Sequence, residues 1–131
     1  MGSLEVGFSS VIFAQTIGRI EMPTFISYVS YTQEAVKGMI TKPSDRTPGI
    51  RGLVEAVGGK LIAAYMTTGA NDLVIVSEIP DGSDVAAVEL AIIASGAIAK
   101  VETVRAWTLP EFKEIMEKAG VVAAGFKPPG T

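Results

Sequence analysis

The sequence predicts a two-layer α+β fold, in which a four-stranded antiparallel sheet carries helices on one face. Segments rich in β-branched and aromatic residues alternate with helix-forming segments in the order β-α-β-β-α-β, and one more helix follows. The two middle strands are joined by the short polar sequence Gly69-Ala70-Asn71-Asp72, which is typical of a hairpin turn. This order is that of the ferredoxin-like split βαβ arrangement.

The first strand is predicted at Thr24–Tyr31, where β-branched and aromatic residues are concentrated. Thr32 is a suitable N-cap for the helix that follows, and this helix should end before Pro43. Thr47 is then expected to cap a second helical piece, with a proline at its first position. The first crossover is therefore predicted as a long helix broken in its middle.

The hairpin strands are predicted at residues 60–67 and 73–79. Ser83 or Asp84 should cap the next helix, which runs to about Ser95. Its side chains are Val, Ala, Leu and Ile almost all round, a pattern typical of a helix buried on more than one side.

The fourth strand is predicted at Lys100–Trp107. Thr108 and Glu111 then form a capping-box pattern, which opens a short amphipathic helix. Gly120 is expected to end this helix, and the residues after it are small or Pro/Gly-rich.

A chain of 131 residues is predicted to hold one domain. We place it at residues 22–119, between an N-terminal extension (1–21) and a C-terminal tail (120–131). The extension lacks a basic start and carries polar residues, so we do not expect a signal peptide. Uncharged runs fall short of the roughly 20 residues that a membrane helix needs. A cytoplasmic protein is expected.

The composition predicts self-association. Apolar residues make up 48% of the chain, charged residues only 19%, and the mean hydropathy is +0.40. Large apolar patches seldom stay exposed, so a homo-oligomer is expected. Both alternating sets of the strands are apolar, which favours two sheets packed face to face in a dimeric α/β barrel. We expect these sets to be Phe25/Val29 against Ile26/Tyr28, and Leu61/Tyr65 against Ile62/Met66.

Charge and residue types exclude several kinds of site. The net charge is −3 and the cations are scattered, which argues against nucleic-acid binding. The chain contains no cysteine and no histidine, so thiolate chemistry, imidazole bases and the commonest transition-metal ligands are excluded. We expect neither a metal nor another cofactor.

Two groups of residues are candidates for ligand binding. Asn71 and Asp72 could lie at the mouth of a pocket and hold a polar group, or could simply build the turn through local hydrogen bonds. Arg105 and Trp107 follow each other on one face of strand four. They could offer a fork for a carboxylate or phosphate and a flat wall, or could form an intersubunit contact.

Four further residues are weaker candidates. Tyr65, Tyr28 and Tyr31 could line the same cavity or fill the core with a bonded hydroxyl. Glu78 could act as a carboxylate base or lie at the rim of an interface. The polar loop 42–46 could cover the sheet as a lid, although a proline-driven helix break explains it equally well.

The chain resembles the GYD-domain family over residues 22–118. The matching pieces, in order, are Met22–Ser27, Lys42–Arg46, Ala56–Leu61, Ala64–Tyr65, Gly69–Val74, Glu78–Asp81 and Val104–Trp107. In the Gly-x-Tyr-Asp turn that names the family, Asn71 replaces the tyrosine, while Gly69 and Asp72 match. The resemblance implies a small ferredoxin-like, dimeric protein, but no established activity.

We therefore expect a homo-oligomeric module that binds a small molecule or serves assembly, without catalysis. Its pocket would lie between the sheet and the helices, or between paired sheets, and would be lined by Arg105, Tyr65, Trp107 and Asp72. The alternative is a cofactor-independent monooxygenase or isomerase, in which Glu78 or Asp72 is the base and the arginine binds an enolate or carboxylate. A third hypothesis is a purely structural module that uses the N-terminal extension as an arm.

Overall fold

A computed structural model describes residues 22–131, which form one sheet and four helices. The predicted N-terminal extension lies outside the described residues. The elements in chain order are β1 (Thr24–Tyr31), α1 (Gln33–Thr41), α2 (Thr47–Ala56), β2 (Lys60–Met66), β3 (Leu73–Glu78), α3 (Gly82–Ala94), β4 (Ile98–Ala106) and α4 (Leu109–Gly125).

The sheet has the order β2-β3-β1-β4, and each neighbouring pair is antiparallel. Helices α1 and α2 connect β1 to β2, and α3 connects β3 to β4. The predicted ferredoxin-like fold is confirmed. The hairpin turn between β2 and β3 is closed by a bond from the Thr67 amide to the Asp72 carbonyl (2.8 Å), with Gly69 at φ +97°. This backbone conformation favours glycine.

The core lies between the sheet and the helices α2 and α3. Val29 of β1 is 1% exposed, and Leu73 of β3 packs against it. Ile50 and Val54 contribute the buried face of α2. Since successive strand residues point to opposite faces, Phe25 and Val29 face the helices while Ile26 and Tyr28 face outward, as the sequence predicts.

The predicted face assignment of β2 is wrong. Ile62 is a bulged residue, because Leu61 pairs with Ser77 whereas Ala63 pairs with Val76. Leu61 therefore shares a face with the buried Ser77, while Tyr65, beyond the bulge, lies on the outer face. The two residues do not share a face, because the extra residue reverses the alternation.

Two predicted helix caps lie elsewhere. Thr47 is the first residue of α2, and its amide donates to the carboxylate of Asp45 (2.9 Å). Asp81, and neither Ser83 nor Asp84, caps α3 by accepting from the amide of Ser83 (3.1 Å). In both cases an aspartate two residues before the bonded amide provides a short acceptor.

The predicted end of α4 is also wrong. Within the protomer no residue of α3 is fully buried, and Leu90 is 69% exposed, so burial of α3 on more than one side would need a partner and stays a prediction. The capping box of α4 is present, but the helix continues through Gly120 to Gly125. Glycine inside a helix costs only about 1 kcal/mol, and α4 ends where Phe126 becomes extended, shortly before two prolines.

None of the helices in the described part of the chain has the length and apolar character needed to cross a membrane.

Candidate functional site

The residues predicted to form one site lie in three separate places of the protomer. Asp72 and Asn71 lie beside the end of β1, whereas Arg105 pairs with Phe25 near its start. The six residue steps from Phe25 to Tyr31 separate these two places by about 20 Å, at about 3.3 Å per step. Tyr28 and Tyr65 lie on the outer face of the sheet, opposite to the helix-covered face that carries Phe25 and Arg105.

Asp72 connects the hairpin turn to the central strand. Its carboxylate accepts a hydrogen bond from the amide of Tyr31 (2.9 Å), and its own amide donates to the carbonyl of Val29 (2.8 Å). The Asn71 carbonyl accepts from the Thr67 hydroxyl (2.8 Å). These bonds favour the interpretation that both residues build the turn and hold the end of β1.

Arg105 is engaged by backbone and aromatic groups at the other end of the sheet. One of its terminal nitrogens donates to the carbonyl oxygens of Thr24 (3.2 Å) and Ala106. The guanidinium carbon lies 4.6 Å from the centre of the Trp107 ring and 5.9 Å from that of Phe25. Such cation–π contacts fix the arginine between β1 and β4.

Glu78 shares a recess of about 230 Å³ with Arg105. Glu111 of α4 also lines it. Among the predicted candidates, the recess therefore brings one carboxylate and one guanidinium to the same place. One terminal nitrogen of the arginine is used by two backbone carbonyls, and the guanidinium also contacts Trp107, which favours a structural role for this group.

Tyr28 and Tyr65 belong to the outer face of the sheet. They form one cross-strand row with Val74 between them, and Glu102 continues the row on β4. Tyr65 is 66% exposed in the protomer. The next row is apolar throughout and consists of Ala63, Val76, Ile26 and Val104.

The helix-covered face of the sheet holds a cleft, at one of the two places considered for a pocket, but its lining includes none of the four residues predicted for it. Helices α2 and α3 stand apart over the sheet and leave a volume of about 340 Å³ between them. Small residues on three elements line it, namely Gly49 of α2, Ala91 of α3 and Ala97 before β4. The apolar lining is completed by Val29, Ile50, Leu53, Leu73, Ile75, Ile92 and Ile98.

The cleft continues towards a narrower apolar space of about 40 Å³, because Val29, Ile50, Leu53, Ile75 and Ile92 line both. At its floor the hydroxyls of Ser27 and Thr103 are hydrogen-bonded to each other (2.9 Å), and Ser77 is 2% exposed. Within residues 22–131 every buried side-chain polar atom has a hydrogen-bond partner. The polar groups at the floor therefore have hydrogen-bond partners within the protein and need none from a ligand.

Polar side chains reach the other end of the cleft. Tyr31 and Arg46 line it, and both also line an adjoining recess of about 310 Å³ beneath the α1–α2 loop. Burial raises the pKa of the Tyr31 hydroxyl, and this outweighs the opposing effect of the nearby Arg46 guanidinium. The tyrosine is therefore a neutral hydrogen-bond donor at neutral pH.

Arg46 lies where the loop enters α2. Its guanidinium is held close to Gly49, since a Cβ placed there would lie 3.7 Å from a terminal nitrogen. Among residues 22–131, one ion pair has its nitrogen and oxygen within 4.0 Å of each other, and it joins Lys113 to Glu117 on α4. Arg46 thus has no carboxylate partner in this part of the chain.

Sequence reasoning named the 42–46 loop but missed Arg46 and Tyr31 as a pair. The loop contains Pro43, and Arg46 immediately precedes the second helix. Tyr31 closes the first strand with a side chain on the helix-facing set. Both positions place Tyr31 and Arg46 at the same end of the sheet. Their shared location is the sequence signal that could have identified the pair.

Metal-ligating side chains do not converge in the described residues: no three of His, Cys, Asp and Glu lie together in 22–131 as an ion would require.

Comparison with known proteins identifies the family. A crystal structure of a transcriptional regulator from Neisseria meningitidis, in complex with L-methionine, aligns with a TM-score of 0.46 and 11% identity. The alignment covers 70% of this chain and 55% of that one, so the chain spans about half the length of the regulator. No curated protein gives a significant match. The family model of the GYD domain matches residues 25–116, and the chain therefore belongs to the GYD-domain family.

Proposed function

We propose that this GYD domain is a homo-oligomeric module that binds a small molecule, without catalysis, in the cleft between α2 and α3. The observation that carries the proposal is the cleft itself. Its volume of about 340 Å³ falls in the range of about 300–1,000 Å³ that is usual for ligand sites. A protein interior is normally packed without voids of this size.

The chemistry of the walls supports binding of a largely apolar molecule. The sheet and both helices contribute aliphatic side chains, whereas the polar side chains Tyr31 and Arg46 are gathered at one end. An apolar chamber with a few convergent polar groups is the usual design of a small-molecule site.

The outer face of the sheet supports pairing of two protomers. Ile26 and Val76 lie at its centre, on the inner strands β1 and β3, and Val104 extends the apolar row to the edge. A sheet face washed by solvent would carry polar side chains at these positions. A second copy that packs its own outer face here would cover them and would leave the cleft, on the opposite face, free for a ligand.

The geometry of a single protomer argues against Asp72 as the base of the enzymatic alternative. Asp72 is engaged with the Tyr31 amide at one end of the sheet, while Glu78 and Arg105 share a recess at the other. A base and an enolate-binding arginine have to reach the same substrate. Asp72 and Arg105 cannot do so within one protomer.

The proposal can be tested by a fragment screen in solution. Amide resonances of the full-length, isotope-labelled protein would be followed while small alcohols, amines and carboxylates are added. We expect at least one fragment class to shift the amides of Val29, Ile50 and Ala97, which lie along the cleft.

A pair of matched variants of α3 makes this test specific. Ala91→Phe should fill the cleft and abolish the shifts, because Ala91 lines it. Ala94→Phe places the same ring on an exposed position of the same helix and should leave the shifts unchanged. Shifts that survive Ala91→Phe, or a complete absence of shifts at the cleft amides, would refute the proposed site.

A further inference from the structure

We infer that the ligand of the cleft is an amphiphilic carboxylate, whose short apolar chain lies between α2 and α3 and whose anionic group faces Arg46 and Tyr31. This inference rests on the proposed function and adds the chemical class of the ligand. It follows from the charges, the donors and the shape at the end of the cleft.

The charges at this end leave a cation without a partner. Among residues 22–131 no carboxylate lies within 4.0 Å of the Arg46 guanidinium. The neighbouring Asp45 accepts a hydrogen bond from the Thr47 amide. Asp72, on the other side, accepts from the Tyr31 amide, and its charge also acts on the Tyr31 hydroxyl. Both nearby acids thus have hydrogen-bond partners of their own, and among residues 22–131 neither forms an ion pair with Arg46.

The donors converge on one point. Arg46 offers a planar fork that matches the two oxygens of a carboxylate. The Tyr31 hydroxyl lines the same space and is a neutral donor. Lys42 lines the adjoining recess and adds a second positive charge. This end of the cleft therefore presents donors and positive charge to whatever enters it.

The start of α2 strengthens the preference for an anion. Arg46 is the N-cap of this ten-residue helix, and its side chain makes no capping hydrogen bond. The guanidinium instead lies beside Gly49 in the first turn. The N-terminal end of a helix carries partial positive charge, which adds to that of the arginine.

The shape limits the rest of the ligand. The walls away from Arg46 and Tyr31 are aliphatic, apart from Ser95 at the end of α3. At roughly 30 Å³ for each water-sized group, the cleft holds about ten non-hydrogen atoms. An unbranched acid with a chain of about eight carbons fits this volume and this distribution of polarity.

Three probes with the same chain but different head groups test the inference on the full-length protein: octanoate, octanol and octylammonium. Their affinities would be obtained from the shifts of the cleft amides. We expect octanoate to bind at least about tenfold more tightly than octanol, because hydrogen bonds to a charged group contribute more than neutral ones. Octylammonium should bind most weakly.

Variants of two arginines assign the preference. Arg46→Gln should abolish the difference between octanoate and octanol, and Arg46→Lys should keep part of it, since an ammonium keeps the charge but loses the fork. Arg51→Gln is the matched control: Arg51 is an exposed arginine of the same helix that does not line the cleft, and its loss should leave the preference intact.

The outcomes separate the inference from the proposed function. If the cleft amides respond equally to octanoate and octanol, the cleft binds ligands but the anion preference is overturned. If octanoate is preferred but Arg46→Gln does not change the preference, the placement of the anionic group at Arg46 is overturned. If none of the three probes shifts the cleft amides, the failure is that of the proposed binding site itself.

Discussion

Replacing Val76 with lysine should dissociate the oligomer if two outer sheet faces pack together. Val76 lies on the inner strand β3, in a row with Ala63 and Ile26 on the neighbouring strands. Packed sheets are only about 10 Å apart, so a lysine at the centre of this row has no short route to solvent. Its ammonium would be buried opposite apolar side chains.

The expected effect is large because the substitution occurs twice. In a symmetric dimer each protomer contributes one lysine to the same interface. Burying an unpaired charge costs several kcal/mol. Even about 2 kcal/mol per copy amounts to about 4 kcal/mol, which weakens the dimer about 1,000-fold.

Sedimentation equilibrium over a range of concentrations measures this change directly. Val36→Lys is the matched control, because it places the same charge on α1, where Val36 is 37% exposed and does not belong to the sheet. Circular dichroism would establish that both variants remain folded. A Val76→Lys protein that associates as strongly as the unmodified chain would refute the argument that this face is the interface.

Three further predictions concern stability, pH and the extension. In urea unfolding, Gly59→Ala should lower the free energy of unfolding by about 1–3 kcal/mol, because a Cβ at this position would lie 2.6 Å from the Glu78 carbonyl oxygen. Gly52→Ala is the control: a Cβ at Gly52 meets open space and should stabilise α2 by up to about 1 kcal/mol. The raised pKa of Tyr31 means that the folded state keeps this proton above pH 10 while the unfolded state loses it; stability should therefore fall as the pH rises above 10, and less steeply in Tyr31→Phe. Removal of residues 1–21 should leave the oligomer intact in size-exclusion chromatography with light scattering, because the proposed interface lies on the sheet; dissociation would favour the arm hypothesis instead.

Local features of the fold follow from short stretches of sequence. Thr32 caps α1 by accepting from the Ala35 amide (3.1 Å), and the pair Thr108 and Glu111 forms the predicted capping box. Gly58 ends the second helical piece at φ +79°. Each of these depends on residues within a few positions of one another, so the pattern alone is sufficient.

The wrong predictions of the cap of α3 and the end of α4 arise where two local conformations compete. The wrong face assignment of β2 arises because strand pairing decides it. Asp81 and Ser83 both have side chains suited to capping, and only the turn geometry selects the aspartate. Gly120 is typical of a helix end, yet its small cost is outweighed by the helix-compatible residues that follow. The bulge at Ile62 is visible only in the pairing of β2 with β3.

The predicted topology already implies that Asp72 and Arg105 lie far apart. Strands β3 and β4 are both antiparallel to β1, so they run in the same direction. Asp72 lies just before the start of β3, and Arg105 lies near the end of β4. They must therefore lie at opposite ends of the sheet, which argues against a shared pocket within one protomer.

The lining and the width of the cleft could not have been predicted in this way. Both depend on the spacing between α2 and α3, and that spacing is set by packing over the whole sheet face rather than by a motif. The width reflects small residues from three distant parts of the chain, Gly49, Ala91 and Ala97. No sequence pattern links these positions before the helices are placed.

Native mass spectrometry of the full-length protein, purified without added ligands, tests the paired sheets and the binding cleft in one measurement. We expect an even-numbered oligomer that carries a reproducible small adduct. Ala91→Phe should lose the adduct, while Ala94→Phe should retain it. A monomer without any adduct would contradict both the paired sheets and the binding cleft.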